Sequence, residues 1–425
     1  MGGGLLQLVA FGSQDVYLTG SPQITYFKVI FKRYTQYAIE SVSQSWMGQT
    51  RYGAKTTAVI SRNGDLLGDM YLEAKMTRGT TGTTYYPGEN LLKSVVVELG
   101  GQQLDKLSAT WYRIYDNLYR TPAERLAYRK MVDFMDGESA GTSKRMFIPI
   151  LFWWCRSPGS YIPLLSLQYH ELRITFEFED VANIPGIHTD TATYPLTADL
   201  WCDYVFLDVA ERKKFAEQSH EYVIEQVQFT GDENVIVAAG SQKSQQVRLN
   251  FNHPTKLLAW AVCHPTIHGK VTANGPGPGL GFVAGMSGSA TNTNVESFAP
   301  LATAKLMLNG HDRAAPRSGA YFNKVVPYQA AKVAPDAGIY YMSFALSPTQ
   351  HAPSGSLNMS RIDSAVLALT FKDASKVGLL GDVANVKDET FTVTDAQTLS
   401  SLRVYAVNYN ILRVLSGMGG LAFSN

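Results

Sequence analysis

The chain has 425 residues, with 37 Lys and Arg against 36 Asp and Glu, so its formal net charge is +1 and no global field steers it to nucleic acid or an anionic membrane. Charged residues make up 17% of the chain against a usual ~25%, while aromatic residues reach 11%, a balance that suits a protein covering much of its surface with partners. Gly 36 and Pro 18 are near ordinary usage, which excludes collagen-like and globally disordered chains; Cys155, Cys202 and Cys263, far apart and without CxxC spacing, argue against a disulfide scaffold or zinc site and fit a reducing compartment.

From the N-terminus, Met1-Gly2-Gly3-Gly4-Leu5-Leu6 lacks the positive start of a secretory signal, the first basic residue being Lys28. Leu6 stands where a myristoylation motif wants Ser or Thr. The longest apolar run, Met146 to Cys155, is half the ~20 residues a membrane helix needs and is fenced by Lys144, Arg145 and Arg156, so no span across a bilayer is expected.

Period-two alternation then dominates. Phe27, Val29 and Phe31 alternate against Lys28, Ile30 and Lys32; Val95, Val97 and Leu99 against Val96 and Glu98; Leu172, Ile174, Phe176 and Phe178 against Arg173, Thr175 and Glu177; Leu367, Leu369 and Phe371 against Ala368, Thr370 and Lys372. Each pattern predicts a half-buried strand with one face on a core. Asn63-Gly64-Asp65, Gly100-Gly101, Asn309-Gly310 and Pro353-Ser354-Gly355 supply turns between strands. The expected class is an all-β sandwich.

Helix is expected in one excursion. Trp111, Ile114, Tyr115 and Leu118 repeat at helical spacing, and Thr121-Pro122-Ala123-Glu124 is a capping box with Pro at the first helical position. Ala127, Met131, Phe134 and Met135 are the predicted apolar face of the second helix. The mixed-charge stretch from Val209 to Tyr222 breaks the alternation and reads as a solvated linker, with Arg212, Lys213 and Lys214 diluted by Glu211 and Glu217. Residues 268–300, containing Gly275-Pro276-Gly277-Pro278-Gly279, cannot bury a core and are expected as a long exposed loop, with shorter counterparts at Arg78–Asn90 and Asn183–Leu196.

An internal echo sets the domain plan. Val96–Gly101 resembles Lys305–Gly310, Ile174–Asp180 resembles Leu367–Asp373, and Asp203–Asp208 resembles Arg403–Asn408. The three blocks keep their order and lie about 200 residues apart, which indicates two copies of one β domain and too few repeats for a solenoid. The expected division is an arm over 1–25, a first domain over 26–210, a linker over 211–223 and a second domain over 224–425.

Reactive motifs are weak. Gly137-Glu138-Ser139-Ala140-Gly141 matches the GxSxG elbow of serine hydrolases, but a helix precedes it and a strand follows, the inverse of the required context. His264-Pro265-Thr266-Ile267-His268 carries Pro between its histidines and no HExxH glutamate; His170, His220 and His253 are isolated among strand residues and read as structural. No P-loop or Rossmann fingerprint occurs, and no carboxylate pair stands out as a glycosidase dyad. Asn358-Met359-Ser360 is a glycosylation sequon, making Asn358 a candidate acceptor. No enzyme activity and no cofactor are expected.

Longer motifs carry a family resemblance. They are Gly3–Ala10, Gln14–Gly20, Pro22–Thr25, Ile60–Leu66, Thr84–Pro87, Leu167–Glu171, Leu249–Lys256, Ser318–Val325, Ser360–Asp363 and Ser416–Ala422. Together they resemble the major capsid proteins of nucleocytoplasmic large DNA viruses, above all those infecting algae. The resemblance runs end to end, with 268–300 and 373–395 lacking it. It implies a double jelly roll, two consecutive eight-stranded antiparallel β-sandwiches with short helical insertions. It also implies a homotrimer of pseudo-hexagonal outline that meets neighbouring capsomers and minor capsid proteins, tiling an icosahedral shell over an internal membrane without spanning it. Gly2, Gly3 and Gly4 would then lie on the inner side and the Gly275–Gly279 loop outside. Direct nucleic-acid binding is not expected, and the chain would be made and assembled in the host cytoplasm. Two other readings compete: a minor capsid or vertex paralogue, and a carbohydrate-binding or -cleaving β-sandwich. The second is weakened by a long loop whose only aromatics are Phe282 and Phe298.

Overall fold

The computed structural model describes residues 3–79, 86–134, 139–184, 186–238, 243–263, 301–333, 335, 338–371 and 397–423. The chain divides into two compact units, Met1–Tyr37 and Ala38–Asn425. The first holds a helix, Gly3–Val9, and a single turn, Val16–Thr19, which Asp15 braces by accepting from the Gly12 amide at 2.8 Å and the Thr19 hydroxyl at 2.7 Å. Phe27, Val29 and Phe31 are exposed and are not strand. The alternation there is real, but a strand needs a neighbour to take its backbone hydrogen bonds, and among the described residues none is paired to this stretch.

The second unit repeats one plan twice. Its first half contains β1 (Tyr37–Gln44), β2 (Lys55–Val59), β3 (Leu66–Thr77), β4 (Leu92–Leu99), β5 (Gln102–Ser108), β6 (Ser143–Pro149), β7 (Leu172–Phe178) and β8 (Thr197–Leu207). Its second half contains β9 (His220–Ala238), β10 (Lys243–Arg248), β11 (Pro254–Cys263), β12 (Leu301–Leu308), β13 (His311–Asp312), β14 (Ile339–Ser343), β15 (Ala365–Phe371) and β16 (Gln397–Leu415). The first half forms sheets of order β1-β8-β3-β6 and β2-β7-β4-β5; the second forms β9-β16-β11-β14 and β10-β15-β12-β13. Adding eight to each strand number of one half yields the other. This is a double jelly roll, each half a sandwich of two facing sheets.

The three echoes in the sequence fall on the equivalent strand pairs β4/β12, β7/β15 and β8/β16. One of them has a conformational cause. Gly100 and Gly101 join β4 to β5 with φ of 57° and 85°, and Asn309 and Gly310 join β12 to β13 with φ of 49° and 82°. Both hairpins need two left-handed residues in succession, a requirement that Gly-Gly and Asn-Gly meet.

Alternation is borne out at the three later stretches: Val95, Val97 and Leu99 are buried, as are Ile174, Phe176, Phe178, Leu367, Leu369 and Phe371. The helical excursion is Ala109–Tyr119 followed by Pro122–Val132, and the second helix begins with the predicted capping box, the Thr121 amide donating to Glu124 Oε2 at 2.7 Å. Its buried face is Tyr128 and Val132, not Ala127 and Met131, which are exposed. The stripe is turned because the Arg120 guanidinium covers the Tyr128 ring at 3.6 Å and fixes that ring inward. Phe134 is buried, just past the helix end, and Met135 lies outside the described residues. Helix Val209–Glu217 joins the halves and buries none of its residues, as a solvated connection should.

Candidate functional site

Sequence patterns single out no reaction centre, and the described residues contain no group of three His, Cys, Asp or Glu placed to hold a metal ion. Ser139 follows the helix Pro122–Val132 and precedes β6, so it has no elbow geometry; Gly137 and Glu138 lie outside the described residues, as do His264, His268 and Gly275–Gly279. Cys155 and Cys202 are free thiols, both pushed up by burial and therefore poor nucleophiles. His170 and His220 are tied to backbone carbonyls of Gly419 and Phe215, each at 2.8 Å. His253 acts through its backbone instead: φ is 66°, its amide donates to Ser360 Oγ at 2.8 Å, and its buried ring Nε2 has no hydrogen-bond partner among the described residues. Asn358 is exposed, and its Oδ1 accepts from the Ser360 amide at 3.1 Å. Gly3 and Gly4 begin the first helix, while Gly2 lies outside the described residues.

The feature that the sequence pattern did not disclose is the seam between the halves. In the sheet β9-β16-β11-β14, Leu258, Trp260, Tyr340, Val404 and Ala406 face the core of the second half. The alternate residues of the same strands, Leu257, Ala259, Tyr341, Tyr405 and Val407, join the core cluster of the first half. Both faces are buried, so Leu257-Leu258-Ala259-Trp260-Ala261-Val262 reads as one apolar run instead of alternating. The sheet lies against β5, the start of helix Ala109–Tyr119 and the short turn Trp153–Arg156. Tyr405 reaches Ser108 at 2.9 Å and packs its ring 5.5 Å from Trp111, and Arg403 reaches the Thr110 hydroxyl.

Buried charge crosses this seam. Glu225 of β9 accepts from Arg156 at 2.6 Å and from Lys256 of β11 at 2.5 Å, with His351 Nδ1 at 3.5 Å. Burial alone would push the Glu225 carboxyl up, but His351, Arg156 and Lys256 outweigh it and hold the carboxyl at about 2. Asp105 of β5 accepts from the amides of Val227 at 3.0 Å and Lys106 at 2.8 Å, yet burial pushes it up to about 7. The Arg156, Glu225 and Lys256 side chains of this cluster are buried or nearly so, and ion-paired, which is the chemistry of a fixed joint.

The C-terminal strand Met418–Leu421 turns back on β16 and closes the seam. The Tyr169 amide donates to the Gly417 carbonyl at 2.9 Å, and a Cβ on Gly419 would meet Leu99 and Leu167 methyls at 2.7 Å. Gly419→Val is expected to cost about 1–3 kcal/mol by overpacking. Urea denaturation checks this, and an unchanged midpoint would refute the close approach.

The equivalent outer face of the first half carries an aromatic patch. On β1-β8-β3-β6, Tyr71 stacks on Trp201 at 6.4 Å and meets Phe147 at 6.1 Å, with Phe147 38% exposed. Glu73 pairs with Arg145 at 3.0 Å at one side, while Asp203 accepts from Ser41 beside Asp69. Burial raises the Asp69 carboxyl, and the charge of Asp203 raises it further. This is an aromatic patch with surplus acid, of the kind that marks a protein contact.

Comparison with known proteins points the same way. Residues 25–208 match the family model described as major capsid protein N-terminus, and residues 211–420 match that of the large eukaryotic DNA virus major capsid protein. The chain is 46% identical over 437 residues to a major capsid protein of Paramecium bursaria Chlorella virus 1 and 41% identical over 456 residues to that of Pyramimonas orientalis virus, each covered in full on both sides. Among solved structures, it is similar to a chain of the Paramecium bursaria Chlorella virus 1 capsid with a TM-score of 0.83 and 42% identity, covering 94% of this chain and 100% of that one.

Proposed function

Because the chain belongs to the large eukaryotic DNA virus major capsid protein family and is a structural protein of the virion capsid, we propose that three copies join into a pseudo-hexagonal capsomer that tiles an icosahedral shell. The observation that carries this reading is the strand-for-strand equivalence of the two halves. Two like prisms per chain give six per trimer, so a three-fold particle presents a near-hexagonal outline that packs without gaps. Division of the chain into an arm over 1–25 and jelly rolls over 26–210 and 224–425, joined through 211–223, is part of the same reading; the first compact unit itself runs from Met1 to Tyr37.

Neighbouring capsomers and minor capsid proteins are the proposed partners, with assembly in the host cytoplasm next to an internal membrane. No helix among the described residues is long and apolar enough to cross a membrane. In this scheme the arm beginning at Gly2, Gly3 and Gly4 faces inward, the Gly275–Gly279 loop faces outward, and Asn358 is a candidate sugar acceptor, supported by its exposure. The purified chain of 46.7 kDa is expected to run as a particle of about 140 kDa by multi-angle light scattering at micromolar concentration. A stable monomer under those conditions would count against the trimer.

A further inference from the structure

We propose that Asn63 is a site of spontaneous deamidation, and that the isoaspartate formed there loosens the anchor between the first half and the linker helix Val209–Glu217. The site lies in the turn before β3 and does not depend on how copies of the chain assemble.

Two Asn-Gly pairs fall among the described residues, Asn63-Gly64 and Asn309-Gly310, and both asparagines are exposed; Asn274-Gly275 lies outside them. What separates the two is how each asparagine is held. Asn309 sits at φ 49°, its amide donates to the Ser364 carbonyl at 2.7 Å, and its Oδ1 accepts from the Ser364 amide at 3.0 Å. Its carboxamide cannot turn toward the Gly310 nitrogen without breaking that clasp. The Asn63 side chain makes no hydrogen bond among the described residues, and the Gly64 N–H finds no acceptor among them. Glycine at 64 has a packing reason, because a Cβ there would stand 2.8 Å from Tyr204 Cβ. The Asn63 side chain holds nothing in place.

A free carboxamide next to a free glycine N–H has the parts for succinimide formation. Once a base has taken the proton from the Gly64 nitrogen, its electron pair attacks Asn63 Cγ. The new C–N bond replaces the bond to the side-chain nitrogen, which takes a proton from water and leaves as ammonia. Water then opens the five-membered ring at one of its two carbonyls. One opening yields an ordinary aspartate; the other yields isoaspartate, whose main chain runs through the former side chain and is one atom longer. The sum is water consumed and ammonia released, with no oxidant or enzyme.

The turn is pinned on both sides of this bond. The Tyr204 hydroxyl donates to the Ser61 carbonyl at 2.7 Å, and the Asp65 amide donates to the Val205 carbonyl at 3.0 Å. Asp65 Oδ2 accepts from the Leu207 amide and from Arg212 of the linker helix, each at 2.9 Å. With Gly64 already against Tyr204, an extra main-chain atom strains these pins. The new carboxylate also borders the recess of about 430 Å³ lined by Arg62, Asp65 and Arg212, where it competes with Asp65 for Arg212.

The test ages the full chain in mildly alkaline buffer and maps its peptides by mass spectrometry, with fragmentation that distinguishes isoaspartate. A gain of about 1 Da is expected at Asn63, at least about 10-fold faster than at Asn309. In urea, where the Ser364 clasp is gone, the two sites should react at similar rates. Tryptic cleavage after Arg212, Lys213 or Lys214 is expected to be at least about 10-fold faster in the aged chain than in the fresh one. Asn63→Gln, an exposed change that leaves the turn's pins in place, should abolish that acceleration. An unmodified Asn63, or equal rates at the two sites in the folded chain, would overturn the proposal. So would linker cleavage that ageing leaves unchanged, or accelerates equally in Asn63→Gln.

Discussion

Glu225→Ala is expected to cost the folded protein about 3–5 kcal/mol, measured by urea denaturation at one fixed protein concentration. The glutamate side chain is 2% exposed, and its two cationic partners are 14% and 0% exposed. Its removal leaves the Arg156 guanidinium and the Lys256 ammonium facing each other across the seam with no anion between them. The cost comes from stranded charge, not from the lost attraction. Replacing all three by apolar residues of similar volume should therefore cost far less than the single change. Lys256→Met is expected to fall between, because Glu225 keeps Arg156. A loss below about 1 kcal/mol for Glu225→Ala would show that water reaches the cluster and that the halves are not locked through it. The same geometry sets an acid limit. With its carboxyl held down at about 2, Glu225 contributes stability above the ordinary carboxylate range and loses it as pH falls toward 2.

How far the fold could be read from sequence depends on how many faces each strand buries. Leu172–Phe178 buries one, so its alternation survived in the sequence and the strand was legible to the residue. Leu257–Val262 buries both, and its alternation is gone; the loss was itself the available signal for a covered sheet. What no local pattern could show is partnership over distance. Ser108 and Tyr405 meet across 297 residues, and Arg156 meets Glu225 across 69. Phe27–Phe31 is the converse case, a strand pattern without a paired neighbour. The capping box at Thr121 was legible because its two hydrogen bonds lie within four residues, whereas the face of that helix was set by Arg120 and Tyr128 packing that spacing alone does not encode.

Glu89→Gln is expected to stabilise the protein at pH 8 and to leave it nearly unchanged at pH 4. Glu89 sits in the one-turn helix Pro87–Leu91, fully buried, and among the described residues neither carboxylate oxygen has a well-formed hydrogen bond, the Tyr128 hydroxyl being the one neutral group that opposes its upward shift. Burial pushes its carboxyl up to about 7; Arg113 and Arg120 oppose that shift and Asp116 adds to it, Asp116 being already engaged by Arg120 at 3.0 Å and Arg113 at 3.3 Å. Below the unfolded value of 4.5 both states hold the proton, and stability from this group does not vary with pH. Between 4.5 and about 7 the unfolded chain releases a proton that the folded chain keeps, so stability falls as pH rises. Above that, both states are ionised and the whole cost, about 3 kcal/mol, is in place. Glutamine cannot ionise and escapes it. Asp105 titrates in the same window and remains in both proteins, so the difference between variant and wild type isolates Glu89. Denaturation midpoints taken from pH 4 to pH 9 should diverge steadily between about 4.5 and 7 and run parallel beyond. Curves that stay parallel throughout would mean that Glu89 is ionised across the whole range, and that Arg113 and Arg120 neutralise it in the fold.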